Sequence, residues 1–211
     1  MTDPHIREIN DIVYLRHLPN MIVMAPKDEN ELRHMIHSAL EYGHPTAIRF
    51  PKGRVYGVDL DKKLEVLPLG KAELLKPGKD LLLAFGNMVH DCLHAAERLE
   101  KEGISLAVAN ARFAQPLDRD LILSYAKSGG TVITAEEGVT AGGFGSAVRE
   151  LLDSEGKENV RFFQTGLPVE IYPVGKVEQI KRMYGLDEDG LVKKLRNFYG
   201  RGDEAPETSS G

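Results

Sequence analysis

Residues 131–153 read TVITAEEGVTAGGFGSAVRELLD. This stretch predicts a strand at residues 131–135, a glycine-rich turn with the letters AGGFGS, and a helix at residues 144–153. The same alternation of strand and helix recurs on both sides of it along the chain. Alternating elements of this kind imply an α/β fold, with a mostly parallel sheet and helices on both faces.

A loop at residues 51–69 separates two predicted units. It lacks clear periodicity and is punctuated by proline and glycine, so we interpret it as an interdomain linker. The first unit has predicted strands at residues 21–25 and 46–50. The second has predicted strands at residues 71–75, 80–85, 104–109, 131–135 and 160–164, and helices at residues 88–101, 118–127, 144–153, 177–184 and 187–198.

The helix of the first unit begins with a cap. Asp28 precedes the helix, and Glu31 three residues later completes a capping box. Apolar residues then recur at helical spacing, so the helix is predicted to bury one face made of Leu32, Met35, Ile36, Ala39 and Leu40. In the second unit, Asp118 is the predicted N-cap of the helix that follows it.

Bulk composition excludes several classes of protein. The 211 residues carry a net charge of −5, which argues against nucleic acid or an anionic membrane as the partner. No apolar run approaches the roughly 20 residues of a membrane span. A single cysteine, Cys92, rules out an internal disulfide framework and suits a reducing cytoplasm. Its place in the apolar pattern of a predicted helix favours a buried structural thiol.

The glycine-rich turn has two interpretations. Gly142, Gly143 and Gly145 let the backbone approach a neighbour closely, and the helix start, which includes Ser146, presents unpaired N–H groups that suit an anion. The alternative is a tight turn packed against another domain or subunit. We therefore predict an anion-binding or interface loop at these four residues.

Two acidic residues, Glu136 and Glu137, end the strand before this turn. Ligands usually bind at the carboxyl ends of parallel strands, so a catalytic role is one interpretation. Helix capping or an interface role is the favoured alternative, and no catalytic residue is assigned.

Arg49 ends the predicted strand at residues 46–50. An arginine there can bind phosphate or carboxylate through two parallel hydrogen bonds, with Lys52 assisting. The alternative is an exposed ion pair. The histidines form no cluster with cysteine or carboxylate, so no metal site is predicted.

Five segments together resemble the 1-deoxy-D-xylulose-5-phosphate synthase family, within the transketolase-like thiamine-diphosphate enzymes. They read YLRHLPNMIVMAPKDENELRHM, AIRFPKG, LAFGNMV, NARFAQPLD and EEGVTAGGFGSAV, in that order. The resemblance implies the end of a pyrimidine-binding domain at residues 1–58, a linker at 59–69 and a transketolase C-terminal-like domain at 70–198. It also implies that Arg49 helps to hold the phosphate of glyceraldehyde 3-phosphate. The polar composition of residues 199–211 predicts a disordered tail.

The departures from that family concern the cofactor. The family binds thiamine diphosphate and Mg²⁺ through a Gly-Asp-Gly motif that the sequence lacks, and the activating glutamate is expected upstream of Met1. Where the family has a DGPTH segment, an ungapped alignment places Thr2 at the aspartate and Ile6 at the histidine, with His5 one position away.

Two hypotheses about function follow from the resemblance and its departures. In the first, the chain is a C-terminal fragment or subunit of a synthase that joins pyruvate and glyceraldehyde 3-phosphate with loss of CO₂, and it is not catalytic alone. In the second, it is a non-catalytic dimerisation or anion-binding module. Both imply a homodimer, or a complex with a second polypeptide that carries the missing parts.

Overall fold

The computed structural model describes residues 9–51, 55–127, 129–172 and 177–200. Lys52, residues 201–211 of the predicted tail and the segment with Thr2, His5 and Ile6 lie outside the described residues. Residues 199 and 200, which were also predicted to be disordered, instead form the end of a helix. The helices are α1 (Asp11–Leu15), α2 (Glu29–Glu41), α3 (Met88–Glu100), α4 (Arg119–Tyr125), α5 (Phe144–Ser154), α6 (Val177–Met183) and α7 (Glu188–Gly200). The strands are β1 (Ile22–Met24), β2 (Thr46–Ile48), β3 (Glu73–Lys76), β4 (Asp80–Ala84), β5 (Leu106–Asn110), β6 (Phe113–Gln115), β7 (Thr131–Val139) and β8 (Arg161–Leu167).

The larger sheet has five strands in the order β3-β5-β4-β7-β8. Strands β5, β4, β7 and β8 run parallel, and β3 is antiparallel at one edge. The turn after β3 leads to β4, but these two strands do not pair because β5 lies between them. The predicted α/β class and the mostly parallel sheet are therefore confirmed.

Helices cover both faces of this sheet, as predicted. The side chains of β4 alternate between the two faces, because successive residues of a strand point in opposite directions. Leu82 packs into a cluster with residues of α3 and α7, whereas Leu81 and Leu83 pack with residues of α4 and α5. Cys92 of α3 is fully buried, which confirms the structural thiol.

A smaller sheet joins the two halves of the sequence. Its order is β2-β1-β6, with β1 parallel to β2 and antiparallel to β6. Strand β6, within the sequence NARFAQPLD, was not predicted, and neither was α1. Strands β1 and β2 of the early half therefore share a sheet with β6, which follows β5 closely in the later half.

The prediction of which face α2 buries was wrong in part, because Met35 is buried and Ala39 packs against the same small core cluster, but the rest of the stripe is not buried. Only Met35 of the predicted stripe is buried, while Ile36 and Leu40 are 52% and 80% exposed. Polar residues fill the covered face because they bind the loop that follows β2. The Ser38 hydroxyl accepts from the Leu67 N–H at 2.8 Å, and His34 Nδ1 accepts from the Glu65 N–H at 3.0 Å.

Only one of the two hydrogen bonds of the predicted capping box forms. The Asp28 side chain accepts from the Glu31 N–H at 2.8 Å, as predicted. The Glu31 carboxylate accepts instead from the Lys27 N–H at 2.7 Å and from side chains of the later half. Asp118 caps α4 as predicted, since its carboxylate accepts from the Leu121 N–H at 3.2 Å.

Candidate functional site

Arg49 directly follows β2, and its side chain contacts the later half of the chain. Its backbone N–H donates to the Met24 carbonyl at 2.8 Å, which fixes its main chain against β1. Its Nη1 donates to Glu137 Oε2 of β7 at 2.8 Å. The side chains of Arg49 and Glu137 are 14% and 7% exposed. The arginine therefore belongs to an ion pair, but one that is mostly buried, not the exposed pair of the sequence alternative.

Glu136, the neighbour of Glu137, caps α5 from within the chain. Its side chain is 1% exposed, and its carboxylate accepts from the N–H groups of Phe144 and Gly145, both at 2.9 Å. The helix-capping interpretation is thus confirmed for Glu136. The Arg49–Glu137 pair and the capped helix start lie side by side, because Glu136 and Glu137 are consecutive on β7.

This cap corrects the anion-binding half of the prediction for the glycine-rich loop. The N–H groups that would hold an external anion already donate to Glu136. The Gly142 N–H donates to the Ser146 hydroxyl at 3.0 Å, and that hydroxyl donates to the Thr140 carbonyl at 2.7 Å. An internal carboxylate and hydroxyl therefore occupy the positions that an anion would take.

Close packing of neighbouring atoms explains why these positions of the loop are glycines. A Cβ on Gly143 would lie 2.2 Å from the Val139 carbonyl oxygen, and one on Gly145 would lie 2.5 Å from the Thr134 hydroxyl. Gly142 has a φ of +74°, and its Cβ would lie 3.1 Å from Val13 of α1. Within the described chain, these three glycines therefore lie where a side chain would meet close neighbours.

An arginine of the early half fastens α1 to the same loop. Arg16 Nε donates to the Gly142 carbonyl at 2.6 Å, and its two terminal nitrogens donate to Glu150 of α5 at 2.9 and 2.7 Å. Val13 and Arg16 thus dock α1 onto the loop and onto α5. The role of the loop between subunits stays a prediction.

Residues 56–58 are held by α2 on one side and by the start of α3 on the other. The N–H groups of residues 56, 57 and 58 all donate to the Glu29 carboxylate, at 2.5 to 3.1 Å. Tyr56 also donates through its hydroxyl to the Asn87 carbonyl at 3.2 Å, and its ring packs on His90 with centroids 4.1 Å apart. A cavity of about 370 Å³ opens here, with Lys181 and Asp91 forming an ion pair in its wall. These contacts fix residues 56–58 between α2 and the start of α3.

Burial raises the pKa of Glu136 to about 7, and the N–H bonds from Gly145 and Phe144 oppose that rise. An acid whose pKa is higher in the folded chain binds its proton more tightly when folded. Its contribution to stability is therefore complete below the ordinary pKa of 4.5 and is lost as the pH rises through about 7.

We expect Glu136→Gln to remove this pH dependence. A shift of this size corresponds to about 3 kcal/mol. The unfolding free energy of the wild type, relative to the variant, should therefore fall by about 3 kcal/mol between roughly pH 4 and pH 8. Urea unfolding at a series of pH values measures the difference. A constant difference would show that the two N–H bonds hold the carboxyl near its ordinary pKa.

Across the described ranges, no group of three or more His, Cys, Asp or Glu side chains is placed to hold a metal ion. No helix within those ranges is both long and apolar enough to span a membrane. The charged residue that sequence reasoning missed is Glu137 as the partner of Arg49. The signal was available in part, since both residues were predicted at the carboxyl ends of strands.

Comparison with protein families gives two matches that divide the chain. Residues 70–191 match the family described as transketolase, C-terminal domain, and residues 6–57 match the family described as transketolase, pyrimidine binding domain. The first match alone covers more than half of the chain.

Curated relatives and solved structures agree with these matches. The chain is 51% identical over 189 residues to 1-deoxy-D-xylulose-5-phosphate synthase 1 of Geobacter metallireducens, covering 89% of this chain and 30% of the relative. It is 48% identical to synthase 2 of Geobacter sulfurreducens, covering 90% and 31%. The chain thus spans about a third of the length of these relatives.

Among solved structures, a split gene transketolase in an inactive beta4 tetramer has a TM-score of 0.74 and 30% identity, over 91% of this chain and 62% of that one. A transketolase from Campylobacter jejuni has a TM-score of 0.64 at 23% identity, over 90% and 28%, which shows the fold alone. The chain belongs to the transketolase C-terminal domain family, and its sequence matches the C-terminal region of 1-deoxy-D-xylulose-5-phosphate synthases.

Proposed function

We propose that this chain supplies the C-terminal part of a 1-deoxy-D-xylulose-5-phosphate synthase, a transferase of isoprenoid precursor synthesis in the cytoplasm. In this proposal, residues 1–58 complete a pyrimidine-binding domain, 59–69 link the domains and 70–198 form the C-terminal domain. The single observation that carries the proposal is the 51% identity over 89% of the chain.

The surface of the early half has features that favour binding of a partner. Ile36 and Leu40 lie one turn apart on α2, so their exposed side chains form one apolar surface. Strand β2 is at the edge of the small sheet, and no described strand pairs with its outer side. An open strand edge beside an uncovered apolar surface favours association. We propose that a polypeptide carrying the rest of the pyrimidine-binding domain and the diphosphate-binding domain packs here, within a dimer.

The described residues do not fit thiamine diphosphate or its metal ion. The glycine-rich helix start is the place whose N–H groups suit a diphosphate, and Glu136 already accepts from two of them. When bound, thiamine diphosphate supplies the carbanion chemistry of such enzymes. We therefore assign the cofactor to the rest of the assembly and no step of that chemistry to this chain.

The residue that we assign to the substrate is Arg49, with Lys52 assisting. Arg49 Nη1 is engaged by Glu137, and among the described residues no partner is found for Nε or Nη2. These two nitrogens form one edge of the guanidinium, which matches two oxygens of a phosphate. We propose that this edge binds the phosphate of glyceraldehyde 3-phosphate.

Joining the chain to its relative tests this function. We expect synthase activity when the full chain replaces the matching C-terminal region of the Geobacter metallireducens enzyme. A second fusion, joined at Asp11, keeps the relative's own residues before that point and so isolates the departure at Thr2 and Ile6. Formation of 1-deoxyxylulose 5-phosphate from pyruvate and glyceraldehyde 3-phosphate is measured. Two folded but inactive fusions would favour the alternative of a non-catalytic dimerisation or anion-binding module.

In the active fusion, Arg49→Ala should raise the KM for glyceraldehyde 3-phosphate and leave that for pyruvate nearly unchanged. Loss of a hydrogen bond to a charged group costs about 1.5–3 kcal/mol, which corresponds to about a 10- to 150-fold rise. Steady-state kinetics with each substrate varied in turn measures the two constants. Equal changes for both substrates would indicate a structural arginine and contradict the assignment.

A further inference from the structure

We propose that Glu137 is a positioning residue for Arg49, holding the guanidinium so that its free edge faces the phosphate of the substrate. This inference rests on the proposed function of Arg49. It adds a second residue, from the other half of the chain, to the recognition of the phosphorylated substrate.

The geometry of the pair supports positioning. Glu137 Oε2 lies 2.8 Å from Arg49 Nη1, and one fixed nitrogen at one corner of a planar guanidinium limits its rotation. The backbone of Arg49 is fixed independently by the bond from its N–H to the Met24 carbonyl. The arginine is thus held at both ends of its side chain, while Nε and Nη2 have no partner among the described residues and can bind a ligand.

A competing role for Glu137 would be to occupy Arg49 until the substrate displaces it. Burial argues against this role. The Glu137 side chain is 7% exposed, so losing Arg49 would leave a buried carboxylate without its counter-ion. A buried charge stripped of its partner is strongly destabilised. The pair should therefore persist when phosphate binds, and the substrate should meet an arginine that is already oriented.

An arginine that is already oriented should bind phosphate more tightly. A free arginine side chain loses rotamer freedom when it binds, and a guanidinium that is already held loses less. Glu137 also carries a negative charge, which repels phosphate. Removing that charge without a positioning effect would strengthen phosphate binding. The two roles therefore predict changes of opposite sign.

The decisive experiment is Glu137→Gln in the fusion that contains the full chain. We expect the KM for glyceraldehyde 3-phosphate to rise about tenfold, as for weakening one charge-assisted hydrogen bond, with the KM for pyruvate unchanged. The double variant with Arg49→Ala should be no worse than Arg49→Ala alone, because residues that act through one contact are not additive. Glu155→Gln, which alters a partly exposed glutamate paired with Arg119, is the matched control and should leave both constants unchanged.

The outcomes separate this inference from the function on which it rests. A lower KM for glyceraldehyde 3-phosphate in Glu137→Gln would show competition and overturn positioning. An unchanged KM, or equal changes for both substrates, would overturn it as well. If Arg49→Ala itself has no effect on this KM, the phosphate assignment of Arg49 fails instead.

An inactive fusion does not prevent the test, because the chain alone reports the orientation of Arg49. In nuclear magnetic resonance spectra recorded at low temperature, the Arg49 Nη1–H signal, assigned by its loss in Arg49→Lys, should be protected from exchange with water because Nη1 donates to Glu137. Glu137→Gln should abolish that protection, and Glu155→Gln should not. Equal protection in Glu137→Gln and the wild type would overturn the positioning role.

Discussion

Arg112→Ala is expected to lower the free energy of unfolding by about 3–5 kcal/mol, because it leaves a buried carboxylate without its partner. Arg112 Nε donates to Glu31 at 2.7 Å, and Arg112 Nη2 lies 3.0 Å from Glu73. Glu31 is 3% exposed and also accepts from Asn110 at 2.8 Å. The network ties α2 to the end of β5, so the loss should destabilise both halves together.

Far-ultraviolet circular dichroism in urea measures this change, since the chain has no tryptophan to report by fluorescence. The matched control is Arg119→Ala, which breaks an exposed arginine pair with Glu155 and should leave the midpoint unchanged. Adding Glu31→Gln to Arg112→Ala should restore part of the loss, because the unpaired buried charge is then removed. A midpoint equal to that of the wild type in Arg112→Ala would contradict the argument.

This network also shows where sequence reasoning stops. The cap of α2 could be predicted because Asp28 acts on an N–H three residues away. The destination of the Glu31 carboxylate could not, because Asn110 and Arg112 lie about 80 positions later and meet it only after β5 and β6 are in place. Local patterns specify a helix start, whereas the choice of a distant partner depends on the order of strands in the sheet.

The same limit explains the errors at α2 and β6. Helical spacing identified an apolar stripe on α2, but not which surface would cover it, and the loop at residues 58–67 instead bound the polar face through His34 and Ser38. Strand β6 has three residues, too few to show a period. By contrast, the fully buried strand β4 and the helix α5 were predicted because continuous apolar runs and helical periods are properties of the local sequence.

At the candidate site, the sequence indicated individual residues but not the contacts between them. Arg49, Glu136 and Glu137 were each identified from their predicted places at strand ends, although β7 continues to Val139 and contains both glutamates. The ion pair between Arg49 and Glu137 joins β2 of the small sheet to β7 of the large one, and the relation between two sheets is not contained in the spacing along the chain. The structure therefore changes the interpretation of Glu137 from an interface residue to a partner of Arg49.

Gly143→Val is expected to prevent folding or to cost about 3 kcal/mol or more, the upper end for overpacking a tight site. Gly143 has an ordinary φ of −78°, so the effect is steric and not conformational. Its new Cβ would lie 2.2 Å from the Val139 carbonyl oxygen and 2.4 Å from Glu136 Oε2. Relieving these contacts would move the carboxylate that caps α5, so packing and the cap would be lost together. The yield of soluble chain and its thermal midpoint measure the effect.

The control for Gly143→Val is Gly200→Val, the same substitution at a position with no neighbouring atom within 4 Å of the added Cβ, which should change the midpoint little. Protein concentration then separates the two roles predicted for the glycine-rich loop. A clash within the chain lowers the midpoint equally at every concentration, whereas a lost subunit contact weakens the assembly and makes the midpoint depend on dilution. A Gly143→Val chain that keeps the stability of the wild type but dissociates more readily would show that the loop acts between subunits, contrary to the intrachain contacts seen at Val139 and Glu136.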